Sequence, residues 1–198
     1  MDKFARFRYQ PCIPLGEDGR CVTASKKHIA LSRKAAAEGM VLLKNSDNAL
    51  PLSRGEKIAL FGKATIEYIK GGGGSGDVHC PYIRNIFEGF REKKDKVEIF
   101  MPLVDFYKDY VEKESVNVLT QEQINATWDI VNAMEFCTKR DDMTYDTFAS
   151  MHVKEPEVPE ELIKSASEWA DTAIITLSRF SAEGVDRRPQ GGDYYLSD

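Results

Sequence analysis

The sequence has few of the residues that build metal sites or disulfide scaffolds. It contains 4 cysteines and 3 histidines among 198 residues. A chain of this length does not need disulfide bonds to fold, and no zinc-ligand spacing connects the cysteines, which are Cys12, Cys21, Cys80 and Cys137. The histidines also lie too far apart in sequence for a two-ligand motif. We therefore expect reduced thiols, no metal site and no cofactor.

Long apolar runs and a basic excess are also missing. The longest apolar runs cover about five residues, far below the roughly 20 that a membrane-spanning helix needs. The first residues contain no apolar signal-peptide core, which predicts a cytoplasmic protein. The net charge is −5 and the pI about 5.4, so no basic face indicates nucleic acid. We expect binding to neither a membrane nor nucleic acid.

What is present is the composition of a globular protein, with 42% hydrophobic and 30% charged residues. Proline and glycine interrupt residues 1–24, which we interpret as an irregular N-terminal arm. Residues 25–198 have room for one sizeable domain. We assign this whole stretch to a single α/β domain.

Helical and strand patterns alternate along this domain. Apolar residues spaced three or four apart predict helices, and short apolar runs predict strands. The predicted order is a helix over 26–43, a strand over 57–62, a short helix over 82–93, a strand over 97–100, helices over 103–114 and 121–139, a helix from Pro159, and a buried strand over 173–177. Such alternation is typical of a mostly parallel sheet flanked by helices. The helices within about 103–150 are polar and read as an insertion.

A glycine-rich segment, Gly71–Gly76, precedes Asp77. Glycine lets a ligand or another backbone approach closely. Three interpretations stay open: a G-x-G-x-x-G dinucleotide fingerprint, a flexible Gly-Ser linker, or a ligand-facing loop of the domain. The fingerprint is disfavoured because the segment does not follow the preceding strand directly. We favour the ligand-facing loop.

The last predicted strand leads into a loop with one acid, Glu183, followed by a glycine and the pair Asp186-Arg187. In open α/β sheets, ligands bind beyond the carboxyl ends of the strands. A carboxylic acid in this loop is well placed for proton transfer. The alternative is that Glu183 is a solvated charge paired with Arg187 or Arg188.

Several segments, taken in order, resemble the α/β sandwich domain of glycoside hydrolase family 3. They cover roughly 25–100 and 160–198, and they are His28–Asn45, Leu50–Leu52, Lys57–Gly62, Gly73–Val78, Ala170–Ile175, Ser178–Arg187 and Gly192–Ser197. The resemblance implies a flavodoxin-like sandwich, here incomplete at its carboxyl end.

The resemblance also implies a function, that of a retaining exo-β-glycosidase of the β-glucosidase type. A (β/α)8 barrel would supply an Asp nucleophile, and Glu183, in the pattern Ser-x-Glu-Gly-x-Asp-Arg, would be the acid/base. Such enzymes need two carboxyl groups about 5–5.5 Å apart across the scissile bond. Ser75 and Asp77 would line the cleft, and Asp186 and Arg187 would bind substrate. The substrate would be a β-glucoside or a short β-linked oligosaccharide.

The chain holds no barrel, although the resemblance implies one. We expect the permuted order, with the barrel downstream of residue 198, and we expect these residues alone to be inactive. A homo-oligomer is compatible with the sequence. Two other classes stay open: a non-catalytic α/β module that uses the glycine-rich segment to bind a small ligand or a protein partner, and a dinucleotide-binding protein.

Overall fold

The computed structural model describes residues 25–71, 80, 82–93, 95–134, 139, 143, 146–147, 152–179, 187–191 and 194–195. The chain divides into two compact units, one up to Pro51 and one from Leu52. Each unit has its own secondary structure, and the α/β elements lie in the second.

Within its described residues the first unit contains one α-helix, α1 (Lys26–Glu38), and a short 3-10 turn, Ser46–Asn48. The α-helix begins at Ser25, whose hydroxyl accepts a hydrogen bond from the His28 N–H at 3.3 Å. The prediction that the helix continues to Leu43 is wrong. Gly39 follows the last turn and donates its N–H to Ala35 O at 2.9 Å. Glycine is common at helix ends, because fixing its flexible backbone in a helix interior costs more conformational entropy than for other residues.

The second unit is built on a parallel sheet. Its described strands are β1 (Glu56–Phe61), β2 (Val97–Ile99) and β3 (Thr172–Ile175), and their spatial order is β2-β1-β3. Both pairings with β1 are parallel, with Glu56 opposite Val97 and Ile58 opposite Thr172. This confirms the predicted α/β class.

Helices cover both faces of this sheet. Those that contribute to its two apolar cores are α2 (Ile86–Arg91), α3 (Met101–Glu114) and α5 (Glu160–Trp169), and a further helix, α4 (Gln121–Ala133), lies between α3 and α5 in the sequence. The start of α4 is fixed by a capping box, in which Thr120 and Gln123 exchange hydrogen bonds. In the described parts of the chain, none of the helices has the length and apolar content that crossing a bilayer requires.

Alternate residues of β1 form two apolar cores, one on each face. Ile58 and Leu60 pack with Phe87 of α2, and with Val97 and Val104. Ala59 faces the other way, in a cluster with Phe100, Leu103, Tyr107 and Ala166. Burial on both faces is why a parallel strand reads as a continuous apolar run rather than an alternating one.

The helix α3, which the sequence analysis assigned to the insertion, packs directly on the sheet. Leu103 and Val104 have no exposed surface, and Tyr107 is 1% exposed. The Phe100 ring, at the start of α3, lies 5.4 Å from the Trp169 ring of α5. Both helices therefore pack over Ala59, and α3 also contributes Val104 to the Ile58 core.

The predicted burial of the strand over 173–177 is wrong, since Ala173, Ile175 and Leu177 are exposed and Ile174 and Thr176 are only half-buried. Ile175 is 72% exposed and Leu177 is 76% exposed. Within the described strands β3 lies at the edge and pairs only with β1. The helices on the Ala59 face cover β1, and the alternate side chains of an edge strand on that face keep solvent contact. Ile174 points the opposite way and packs against the Ile58 core.

Candidate functional site

The carboxyl ends of β1 and β3 are joined by hydrogen bonds from the backbone and the hydroxyl of Thr176. The Thr176 N–H donates to Phe61 O at 2.8 Å, and the Thr176 hydroxyl donates to the same oxygen at 2.8 Å. The hydroxyl oxygens of Thr65 and Thr176 lie 3.2 Å apart. The chain segments that leave β1 and β3 are therefore held side by side.

Gly62 makes this close approach possible. It has a φ of +94°, and a Cβ at this position would lie 2.2 Å from Thr176 O. Its N–H donates to the buried Tyr107 hydroxyl at 2.8 Å. A side chain here would push β3 away from β1, so only glycine fits both the backbone angle and the space.

A buried lysine follows Gly62 in a short 3-10 turn, Lys63–Thr65. Its Nζ lies 2.6 Å from Glu67 Oε2, and the two side chains are 7% and 23% exposed. The second Glu67 oxygen accepts the Val153 N–H at 3.4 Å. A buried charge is tolerated only when paired and hydrogen-bonded, and Glu67 supplies the pairing.

Glu155 binds the same turn from a distant part of the sequence. Its two carboxylate oxygens lie 2.9 and 3.1 Å from the Lys63 backbone nitrogen, which donates to them. Partial desolvation raises the pKa of Glu155, and the contacts with the Lys63 backbone and charge oppose that rise. Burial also raises the pKa of Tyr107, and the nearby Glu155 charge adds to the rise.

Sequence reasoning missed this polar cluster of Lys63, Glu67, Tyr107 and Glu155. The spacing of Lys63 and Glu67, four residues apart, was the one local signal. Tyr107 and Glu155 gave none, because their partners lie 45 and 92 residues away in the sequence. In this structure the cluster holds the turn after β1 in place.

The chain is hydrogen-bonded together just before the two predicted ligand-binding loops, which are the glycine-rich segment and the loop with Glu183. The Ile69 N–H, just before the glycine-rich segment, donates to the Ser178 hydroxyl oxygen at 3.4 Å. Ser178 follows β3 and precedes the Glu183 loop. Asn85, the N-cap of α2, also donates its Nδ2 to Ile66 O at 3.0 Å, which fixes the same segment from the other side.

Of the five predicted site residues, the structure describes only Arg187. Ser75, Asp77, Glu183 and Asp186 lie outside the described residues, so their roles stay predictions. Arg187 is described and half-buried.

No metal-ligand cluster accompanies these segments in the part of the chain that the structure describes. There, no three side chains of the His, Cys, Asp or Glu type are grouped in a way that could hold a metal ion.

The sequence match that decides the family spans most of the second unit. The model described as "Glycosyl hydrolase family 3 C-terminal domain" matches residues 40–194, well over half of the chain. This chain belongs to glycoside hydrolase family 3. The match runs through both the glycine-rich segment and the Glu183 loop.

Proteins described as beta-glucosidases are similar over most of this chain. Beta-glucosidase A of Butyrivibrio fibrisolvens is 45% identical over 98% of this chain and 20% of its own length. The structure of beta-glucosidase 3B from Thermotoga neapolitana with alpha-D-glucose has a TM-score of 0.61 and 37% identity, covering 87% of this chain and 20% of that one.

A beta-glucosidase from Paenibacillus barengoltzii is also similar, with a TM-score of 0.66 and 25% identity, covering 94% of this chain and 17% of its own. This chain therefore spans about a fifth of the length of the family 3 proteins it matches.

Proposed function

We propose that this chain is the α/β sandwich domain of a β-glucosidase that hydrolyses terminal β-linked glucose. The observation that carries the proposal is the 45% identity, over 98% of the chain, to a protein named beta-glucosidase. The substrate would be a β-glucoside or a short β-linked oligosaccharide. A (β/α)8 barrel elsewhere in the longer protein would complete the site, since the chain spans about a fifth of its relatives.

In this proposal Glu183 is the general acid and base. It protonates the leaving oxygen as the barrel's Asp attacks the anomeric carbon, and it then activates water to release the sugar. Ser75, Asp77, Asp186 and Arg187 contact the substrate. Support comes from the edge of the sheet, where the hydrogen bond between Ile69 and Ser178 places the starts of both loops together.

A leaving-group comparison in the full-length protein tests the proposal. We expect Glu183→Ala to lower kcat/KM about 10²–10⁴-fold on an unactivated disaccharide, because general acid catalysis contributes about that much. A 2,4-dinitrophenyl β-glucoside needs no protonation of its leaving group, so its first step should be nearly unchanged. Azide should partly rescue turnover by replacing the activated water.

The matched control is Glu157→Ala, which removes an acid from the segment before α5 and should leave both rates unchanged. Near-normal hydrolysis of the disaccharide by Glu183→Ala would contradict the assignment. That result would favour the alternative of a non-catalytic binding module. A cytoplasmic location is part of the proposal, and cell fractionation with an antibody to the protein would test it.

A further inference from the structure

Arg179 joins the two ends of the loop that follows β3. Its Nη1 donates to Tyr194 O at 2.9 Å, and its Nη2 donates to Tyr195 O at 3.0 Å. These carbonyls lie 15 and 16 residues further along the chain. Two donors of one planar guanidinium on two successive carbonyls fix both the distance and the orientation of the returning backbone.

The outgoing end of the loop is already tied to the sheet. The Thr176 N–H donates to Phe61 O at 2.8 Å, and the Ser178 hydroxyl accepts from Ile69. Arg179 is the next residue. Its backbone therefore starts from a position set by β1 and β3, and its guanidinium reaches from that fixed point.

The returning end, described at residues 187–191 and 194–195, has backbone hydrogen bonds of its own. The Tyr194 N–H donates to Arg188 O at 3.1 Å, and the Tyr195 N–H donates to Gln190 O at 3.1 Å. An ion pair of 3.3 Å also connects Arg188 to Asp146. Arg179 couples Tyr194 and Tyr195 to the end of β3, so the described residues at both ends of the loop are fixed.

We propose that Arg179 is a positioning residue that fixes the base of the loop carrying the acid/base. This inference rests on the proposed function, in which Glu183 lies between the two ends joined by Arg179. Proton transfer requires the carboxyl to lie within about 2.6–3.2 Å of the leaving oxygen. A misplacement of about 1 Å costs on the order of 10²-fold in rate.

The test is leaving-group dependence in the full-length protein, measured for Arg179→Ala and Arg179→Lys. We expect Arg179→Ala to lower kcat on an unactivated disaccharide about 10–100-fold, because the acid is misplaced. The effect on a 2,4-dinitrophenyl β-glucoside should be several-fold smaller. Arg179→Lys should recover little, because an ammonium keeps the charge but lacks the planar fork.

The matched control is Arg84→Ala, which removes an arginine whose ion pairs are with Glu88 and Glu92 beside α2. It should leave both substrates unchanged. If Arg179→Ala does not fold, the comparison of Arg179→Lys with wild type carries the test, because that variant keeps size and charge. Protease cleavage between residues 180 and 193, faster in Arg179→Lys than in Arg84→Ala, would support the inference independently of activity.

Three results would overturn the inference. One is an equal loss on both substrates by the Arg179 variants, since a general structural role predicts it. Another is full activity of Arg179→Lys on the disaccharide, since charge alone would then suffice. The third is leaving-group dependence in Glu183→Ala but none in Arg179→Ala, which would leave the proposed function intact. If Glu183→Ala shows no such dependence, the proposed function fails and this inference fails with it.

Discussion

At the residue scale, Gly62 lies against Thr176 where the chain leaves β1 and β3. We expect Gly62→Ala to lower the free energy of unfolding by about 3 kcal/mol or more, because a positive-φ strain costs about 1–3 kcal/mol and the overlap with Thr176 O adds to it. Urea denaturation of the chain would measure this. Gly55→Ala is the control, since Gly55 has a φ of +81° but open space around it. Equal losses in the two variants would argue against the overlap.

Glu155 makes a pH-dependent contribution at the same scale. Its pKa in the folded chain is raised above the ordinary 4.5, so the folded chain binds this proton more tightly than the unfolded chain does. The stabilisation is fully present below about pH 4.5 and is lost as the pH rises through the raised pKa. Glu155→Gln does not titrate at this position. The unfolding free energy of the variant relative to wild type should therefore increase as the pH rises from about 4 to about 7.

Urea denaturation of both proteins at the two pH values would measure this difference. Parallel pH dependence of wild type and Glu155→Gln would refute the prediction.

At the element scale, α2 is tied to the site through its N-cap. The Asn85 side chain accepts the Glu88 N–H at 2.8 Å and also donates to Ile66 O at 3.0 Å. We expect Asn85→Ala to cost about 1–2 kcal/mol for the cap, plus about 1 kcal/mol for the second hydrogen bond. Asn85→Asp keeps the cap oxygen and loses only the donor to Ile66.

The matched control for Asn85→Ala is Thr120→Ala. Thr120 also begins a capping box, that of α4, but makes no hydrogen bond to Ile66. Chemical denaturation of the three variants should rank Asn85→Ala as the least stable. If Thr120→Ala destabilises the chain as much as Asn85→Ala does, the link to Ile66 contributes nothing.

At the scale of the whole molecule, the chain holds only one half of the proposed catalytic pair. We expect the 198 residues alone to give no turnover of an aryl β-glucoside, because the nucleophile would come from the barrel. Mixing the chain with a separately expressed remainder of the protein should restore activity if the two parts associate. A colorimetric assay would measure both. Turnover by the isolated chain would refute the division of roles.

The apolar patterns predicted the types of the elements correctly. They did not predict the burial of β3 correctly. The Ile58–Phe61 run and the helix from Pro159 are local signals, and both elements lie within a residue or two of their predicted bounds. Ile175 and Leu177 belong to an equally apolar run, yet they are exposed. Burial depends on which neighbours a strand acquires, and the sequence of one strand does not contain that information.

The sequence by itself determined the α/β class and the membership of glycoside hydrolase family 3, because these depend on local pattern and ordered motifs. It also pointed to Glu183 as the acid to test. Only the tertiary structure revealed the bond from Glu155 to Lys63 and the reach of Arg179 to Tyr194 and Tyr195. Such contacts join residues far apart in the chain, and folding alone brings their atoms within hydrogen-bonding distance.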